Sequence, residues 1–195
     1  MYADQHEMKI NHEKTKVIFF NTARKYDCTP NLSLGSDVNL ELVEQVRMLG
    51  DEVSSNLSWR ANTSAICQKA YSRMWMLRRL KPLGATSEEL LEIYDKQIRC
   101  ITEFASPVWT SGLTKDEVNQ IERIQKCAFA IILVEKYASY ENALKLCKRS
   151  SLASRRMDLN LKFAKKKCLK SDKYQHWFVQ NNPTVIKDKT RSAES

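Results

Sequence analysis

The sequence predicts an α+β protein that is predominantly α, with a small N-terminal antiparallel β layer followed by a bundle of helices. Three observations favour this fold class. The 195-residue chain has only four Gly and four Pro, which argues against a loop-rich β sandwich. Short β-branched and aromatic runs precede Trp59, and beyond it the apolar spacing changes from two to about 3.6 residues. Two capping-box sequences then mark helix starts.

Three short segments form the predicted β layer: 16–20 (KVIFF), 38–42 (VNLEL) and 45–53 (QVRMLGDEV). They are separated by turn residues and together indicate a small antiparallel sheet. KVIFF is a continuous apolar run, so we expect a buried strand. Gly50 interrupts the third segment. It indicates either a β-bulge or a close approach of the backbone to a ligand.

Five helices follow in the prediction. The first runs from about Trp59 to Leu80 and stops before Pro82, with Ile66, Ala70, Leu77 and Leu80 on one face and Tyr71 and Met74 beside them. A capping box at Thr86–Glu89 opens the second, which has Leu90, Tyr94, Ile98 and Ile101 inward and ends near Pro107.

A second capping box, at Thr114–Glu117, opens the third helix, whose inward residues are Val118, Ile121, Ile124, Ala128, Ile131 and Ile132. A short helix from about Tyr140 to Cys147 and a last one from about Leu152 to Leu169 complete the bundle. The polar segment 176–195 is predicted to be a disordered tail.

Charge is placed unevenly along the chain. The net charge is +9, and residues 145–195 alone carry 14 basic and 4 acidic side chains, a balance of +10. Such asymmetry favours a polyanionic partner, most often nucleic acid, although an anionic membrane surface or simply a solvated helix also fits. No run of residues has the length and apolarity of a membrane span.

The six cysteines are predicted to be reduced thiols in an intracellular protein of the nucleus or cytoplasm. They lie 20 to 39 residues apart, without a C-x-x-C pair, and no histidine stands at ligand spacing. A zinc site is therefore not expected, and no cofactor is predicted for this chain. No nucleophile elbow or phosphate loop occurs either, so self-contained catalysis is not predicted.

A stripe of basic residues on the last helix is the main non-catalytic signal. Arg155, Lys162, Lys166, Lys170 and Lys173 follow one another at spacings of seven, four, four and three residues. Arg156, Lys165 and Lys167 border this stripe, and Leu152, Leu159 and Phe163 are expected to face the core. The stripe could neutralise several phosphates. The alternative is a solvated lysine face.

Two smaller features repeat this ambiguity. Arg78 and Arg79 close the first helix, where they could contact nucleic acid or compensate the helix dipole. Trp59, Trp75 and Trp109 could stack on bases, but aromatic residues at helical spacing more often belong to the core.

Taken in order, the segments of this chain resemble the C-terminal part of the reverse transcriptase of non-LTR retrotransposons, the jockey-like LINE elements. The similar segments include "MKINHEKTKVIFF", "VRMLGDEVSSNLSW", "AICQKAYSRMWMLRRLK", "LLEIYDKQIRCITEFASPVW", "LTKDEVNQIERIQKCAFAII", "SYENALKLC" and "SLASRRMDLNLKFAKK". They span roughly residues 5 to 178 in the family's order.

The resemblance implies a division into domains and a set of site residues. Residues 1–59 would be the end of the polymerase palm, and 60–175 the helical thumb with its extension. Lys14, in a loop similar to motif D, would act as a general acid toward the pyrophosphate leaving group. Met48, Leu49 and Gly50 would form the primer grip, a hairpin that holds the primer end. The partner implied is an RNA/DNA template–primer duplex.

The chain also departs from this family. The fingers and the metal-binding aspartates of the palm would lie before Asn11, so magnesium is expected only in a full-length relative and Lys14 is expected to be idle here. Asp51 and Glu52 stand where relatives have an apolar residue. Three hypotheses follow: an inactive reverse-transcriptase fragment that binds duplexes, a subunit completed by a separate fingers–palm polypeptide, or a repurposed or non-functional α-helical module.

Overall fold

The computed structural model describes residues 6, 11–20, 33–34, 38–168 and 170. Within these ranges the protein is mostly helical with a small β part, which confirms the predicted fold class. The predicted tail (176–195), Lys173, Cys28 and His176 lie outside the described residues. Cys67, Cys100, Cys127 and Cys147 are free thiols.

Among the described residues, the β part consists of three strand pairs rather than one antiparallel sheet. Strand β1 (Lys16–Val17) pairs in parallel with β4 (Glu41–Leu42). Strands β2 (Ser33–Leu34) and β3 (Val38–Asn39) pair antiparallel. Strands β5 (Gln45–Met48) and β6 (Asp51–Ser54) form an antiparallel hairpin. The third predicted strand is therefore two strands that reverse at Leu49–Gly50.

The prediction that KVIFF is a buried strand was wrong. Only Lys16 and Val17 pair as a strand, and the side chains of Phe19 and Phe20 are 41% and 46% exposed. An apolar run is buried only where another layer covers it. In the described part of the chain, β1 meets the two-residue strand β4, which is too short to provide that layer.

The helices occupy residues 60–168. They are α1 (Arg60–Leu80), α2 (Ser87–Ile93), a π-helical segment (Tyr94–Arg99), α3 (Cys100–Glu103), α4 (Ser106–Trp109), α5 (Lys115–Leu133), α6 (Tyr140–Leu146), α7 (Leu152–Phe163) and a second π-helical segment (Ala164–Cys168). Single 3₁₀ turns lie at His12–Lys14, Thr110–Gly112 and Val134–Lys136.

Local signals placed the helix starts correctly. Thr86 and Thr114 each accept a hydrogen bond from the backbone N–H three residues on, and Glu89 and Glu117 each accept one in return from the threonine N–H. Both predicted capping boxes are confirmed. The second predicted helix ends at Glu103, earlier than predicted, and Pro107 lies in the first turn of α4, where proline loses no helical hydrogen bond.

The hydrophobic core lies between α1, α5 and the helical stretch that connects them. Ala70, Met74 and Leu77 of α1 are fully buried, as are Tyr94 and Ile98 of the π-helical segment, and from the remaining helices Leu90, Trp109, Ile121, Ile124, Ala128, Phe129, Ile132, Ala143 and Leu152. Tyr94 packs edge-to-face on Phe129 with ring centroids 5.4 Å apart. The core therefore belongs to the helical region, and the hairpin β5–β6 is attached to its side through contacts between β6 and α1.

Candidate nucleic-acid interface

Helix α7 carries the predicted basic stripe, and its start is fixed on α5. Ser151 caps it by accepting a hydrogen bond from the Ser154 N–H at 3.2 Å. The carboxylate of Glu122, on α5, accepts the N–H groups of Leu152 and Ala153, both at 3.1 Å. A carboxylate at a helix N-terminus satisfies free donors and complements the dipole. The direction of α7 is thereby set by α5.

A second set of polar groups holds the same junction. The Tyr140 hydroxyl, from α6, hydrogen-bonds to Glu122 and lies 2.8 Å from Gln125 Oε1. Gln125 in turn donates from Nε2 to the Ser150 carbonyl at 3.1 Å. Burial, followed by the hydrogen bond to Glu122, raises the pKa of Tyr140, so this hydroxyl stays protonated. These contacts join α5, α6 and α7 into one unit.

An alternating chain of charges ties the base of α7 to the π-helical segment. Asp95 forms ion pairs with Arg99 at 2.6 Å and with Arg149 at 2.8 Å. Glu103 pairs with Arg99 at 3.4 Å and also with Arg155. The hydrogen bond to Glu103 raises the pKa of Arg155. Two carboxylates therefore pair with three arginines of this region, Arg99, Arg149 and Arg155.

Arg155 and Arg156, both predicted to contact nucleic acid, do not lie on a free basic surface. Arg155 is engaged by Glu103, and Arg156 is only 1% exposed, with its guanidinium 5.8 Å from the centre of the Trp109 ring. Burial lowers the pKa of Arg156. Arg156 follows Leu152 by four residues, so it falls on the inward face of α7. That spacing was the signal in the sequence that could have placed it.

The lysines at the far end of the stripe are exposed, as the prediction of a basic surface requires. Lys162 lies in the last turn of α7, Lys166 in the π-helical segment that follows and Lys170 just beyond it. Lys165 and Lys167 are exposed beside them. Within the described part of the chain, none of these side chains forms an ion pair. Phe163, predicted to face the core, is instead 47% exposed.

Arg78 and Arg79 are also exposed, but they lie apart from α7. They occupy the last turn of α1, where the Lys81 ammonium donates to the Ile132 carbonyl at 2.9 Å. In the described part of the chain, α7 packs mainly on α3, α4 and α5, and α1 is not among its main neighbours. The two predicted groups therefore lie on helices that do not pack closely on one another.

The predicted primer-grip residues form the turn of the β5–β6 hairpin. Leu49 and Gly50 have φ of 52° and 104°, and Met48 pairs with Asp51 on either side of them. Positive φ at both central residues is typical of the two-residue turns that match strand twist. A β-carbon on Gly50 would lie 3.2 Å from Cε1 of Phe104. Gly50 therefore serves a turn and a close packing contact, not a bulge.

A pocket of about 390 Å³ opens beside this turn, lined by Gly50, Arg47, Asp51, Ile66, Lys69, Cys100, Ile101 and Phe104. Asp51 turns inward and is 8% exposed, and burial raises its pKa although Lys69 acts in the opposite direction. Glu52 is held differently: its N–H donates to Asn62 at 3.1 Å and its carboxylate accepts from Gln45 at 3.2 Å. Both carboxylates therefore interact with neighbouring side chains, Asp51 with Lys69 and Glu52 with Gln45.

Lys14 lies in a 3₁₀ turn that Asn11 stabilises by accepting the Lys14 N–H at 3.1 Å. Its side chain is exposed, and it shares a cleft of about 570 Å³ with Thr15, Lys16 and the β5 residues Gln45, Val46 and Arg47. The turn and the hairpin are thus neighbours. In the described ranges there is no group of three or more His, Cys, Asp or Glu side chains that could hold a metal ion.

The three tryptophans considered for base stacking have different environments. Trp109 is fully buried and donates from Nε1 to the Phe104 carbonyl at 3.0 Å. Trp59 is partly buried and packs against the core. Trp75, by contrast, is 61% exposed on the outer side of α1.

Comparisons with known proteins add no relative. No family model, curated protein or solved structure matches this chain. Among the described residues, no helix is both long and apolar enough to cross a membrane.

Proposed function

We propose that this chain is the palm-end and thumb-like region of a reverse transcriptase of the non-LTR retrotransposon type, and that it binds nucleic-acid duplexes through phosphate contacts. The ordered resemblance of its segments to that family supports the origin. One observation supports the binding: Lys162, Lys166 and Lys170 are exposed and lack carboxylate partners in the described part of the chain. Three arginines nearer the base of α7 are paired or buried.

The proposed contacts do not read sequence. Lysine ammonium groups bind phosphates as point charges, and each neutralised phosphate releases counterions. Strand synthesis would additionally need the metal-binding aspartates that the resemblance places in a palm. The proposal for this chain is therefore duplex binding, with Lys14 active as a general acid only alongside a polypeptide that supplies those aspartates.

A salt titration tests the duplex-binding proposal. The affinity for an RNA–DNA duplex of about 20 base pairs is measured by fluorescence anisotropy between about 50 and 200 mM salt. The triple variant K162Q/K166Q/K170Q is expected to bind more weakly and to reduce the salt slope by up to about three. The matched control K115Q/K136Q/K145Q removes three other exposed lysines.

The control makes the result specific to the end of α7. Equal losses in both triple variants would show attraction to the net charge of +9 alone and would overturn the proposed interface. An affinity that does not change with salt would overturn phosphate binding altogether. Circular dichroism of each variant establishes that the helices are retained.

The second candidate, an interaction module, is favoured by the exposure of Phe19 and Phe20 next to the side of β1 that pairs with no strand among the described residues. Exposed apolar groups at a strand edge promote association. This candidate expects the purified chain to associate, the variant F19S/F20S to be monomeric in sedimentation velocity, and duplex binding to be absent.

A further inference from the structure

The outer side of α1 carries a stripe of aromatic and basic side chains that the duplex interface does not use. Tyr71, Trp75, Arg78 and Arg79 follow one another at helical spacing, and we call them the Trp75 surface. Side chains three and four residues apart lie next to one another on a helix. Trp75 is 61% exposed, so most of its ring is open to solvent, whereas Tyr71 is 38% exposed and is only partly open.

The charged side chains of helix α1 are all basic. The helix contains five basic residues and no acidic residue. From α5, Arg123 lies near Tyr71 and adds a further positive charge. In the described ranges, neither Arg78 nor Arg79 nor Arg123 forms an ion pair. These three guanidinium groups are therefore available to bind an anion.

The dimensions of the stripe suit a short length of polynucleotide. Tyr71 and Arg79 are eight residues apart, which is about 12 Å along the helix axis. A stacked strand advances about 3.4 Å per nucleotide, so the stripe covers roughly three or four nucleotides. Arg78 and Arg79 follow Trp75 by three and four residues, so both guanidinium groups lie beside the indole ring on the same side of the helix.

We propose that the Trp75 surface binds an unpaired strand of nucleic acid, with one base stacked on the indole ring and the adjacent phosphates bound by Arg78 and Arg79. Tyr71 offers a second ring to the neighbouring base. The surface is distinct from the lysines at the end of α7, so the proposal holds whether or not those lysines bind a duplex.

Two features favour a single strand over other ligands. A flat exposed ring stacks on a base whose face is free, and in a duplex the base faces are covered by their neighbours. The second feature is the charge of the helix: α1 has five basic residues and no acidic residue, so the surface is complementary to the phosphates of a strand. The combination of stacking ring and phosphate ligands is the one that single-strand-binding proteins use.

Binding of a single-stranded oligothymidylate of about 12 nucleotides tests the proposal. Trp75→Ala is expected to weaken binding by roughly 5- to 150-fold, the effect of removing one stacked base. Trp75→Phe keeps a ring and is expected to bind within about threefold of wild type, but to lose most of the quenching of tryptophan fluorescence on binding. Phe20→Ala, which removes another exposed ring, is the matched control and is expected to bind like wild type.

The arginines are tested by their salt dependence. Arg78→Gln with Arg79→Gln is expected to lower the salt slope for the single strand by about 1.4, since each phosphate contact contributes about 0.7. The control K136Q/K145Q removes two charges elsewhere and is expected to change the slope much less.

Three results would overturn the proposal: wild-type affinity of Trp75→Ala for the single strand, equal weakening by Phe20→Ala, or a dimer of the wild-type chain that Trp75→Ala dissociates. The last result would assign the surface to a second copy of the chain. Duplex binding by K162Q/K166Q/K170Q is measured in a separate assay. Failure of the single-strand proposal can therefore be distinguished from failure of the duplex proposal.

Discussion

Arg155 and Arg156 are neighbours in sequence, yet their environments are opposite. Arg155 reaches Glu103 at the edge of the helical bundle, whereas Arg156 is buried against Trp109. Nε and Nη1 of Arg156 have no hydrogen-bond partner in the described part of the chain. Successive side chains on a helix point about 100° apart around its axis. The rotation of α7 therefore determines which of the two arginines enters the core.

Replacing Arg156 tests how this buried charge affects stability. We expect Arg156→Met to have a free energy of unfolding within about 1 kcal/mol of wild type, or higher, because an apolar group of similar length removes a desolvated charge. Glu122 keeps its hydrogen bonds to Leu152, Ala153 and Tyr140. Urea unfolding followed by circular dichroism measures the difference.

A second variant, Arg156→Ala, separates the effect of the charge from the effect of the packing. Arg156→Ala also removes the charge but leaves a cavity beside Trp109, so it should lose about 2 kcal/mol or more. If Arg156→Met is as unstable as Arg156→Ala, the guanidinium itself is stabilising and its burial is fully compensated.

Asp51 gives the fold a dependence on pH. Burial raises its pKa above the ordinary value of 3.8. A raised folded-state pKa stabilises the fold when the group is protonated, and that contribution is lost as pH rises through the folded pKa. We therefore expect Asp51→Asn to be more stable than wild type at pH 7, with the difference shrinking as pH falls through the raised folded-state pKa and gone by about pH 4, the ordinary value for Asp. Thermal unfolding across this pH range decides it; a constant difference would rule out titration of Asp51 as the cause.

Elements whose signals are local could be predicted from the sequence. Both capping boxes lie where Thr86 and Thr114 indicated, because the groups that form each box are within four residues of one another. The hairpin turn was harder. Its first central residue is Leu49, an amino acid that rarely adopts positive φ, so QVRMLGDEV reads as one strand interrupted by glycine. The residue pattern therefore did not reveal the reversal, although the resemblance implied a hairpin at these residues; the pairing of Met48 with Asp51 shows where the two strands reverse.

The turn yields a prediction with a defined sign. Leu49 is 92% exposed and has φ of 52°. Replacing it therefore relieves backbone strain and removes few packing contacts. We expect Leu49→Asn to raise the free energy of unfolding by roughly 0.5–1 kcal/mol, since Asn-Gly favours this turn. Gly50→Ala should do the reverse, because its φ is 104° and a new β-carbon meets Phe104. Equal effects of the two substitutions on thermal unfolding would contradict the assigned turn.

The π-helical segments are elements that apolar spacing did not predict. The inward positions of Tyr94 and Ile98 were predicted correctly and are fully buried. The wider helix between Tyr94 and Arg99 could not be read from a 3.6-residue period, which does not distinguish a local π turn from an α turn. This segment also carries Asp95 and Arg99. Asp95 forms ion pairs with Arg99 and Arg149, and these lie next to the ion pair of Arg155.

For the whole molecule, the sequence indicated the order of the elements better than their contacts. The predicted change of character near Trp59 does separate a β part from a helical part, because spacing alone reveals it. Which basic groups meet could not be predicted, since it depends on how the helices pack. The stripe on the last helix and the pair Arg78–Arg79 were predicted as separate features, and they lie on α7 and α1, which are not main neighbours in the described part of the chain.

The distribution of buried residues predicts how stability is distributed. Among the described residues, the fully buried apolar side chains lie between residues 70 and 152, and β1 and β4 contribute none. Amide exchange in the slowest class requires opening of the packed core, whereas strands with few buried contacts open locally. We therefore expect hydrogen exchange to be slowest in α1 and α5, intermediate in β6, where Val53 packs at 8% exposure, and fastest in β1 and β4. Exchange monitored by mass spectrometry measures this order directly. Protection of β1 equal to that of α5 would show that the β part unfolds together with the helices, and the predicted boundary between residues 59 and 60 would then not divide two units of stability.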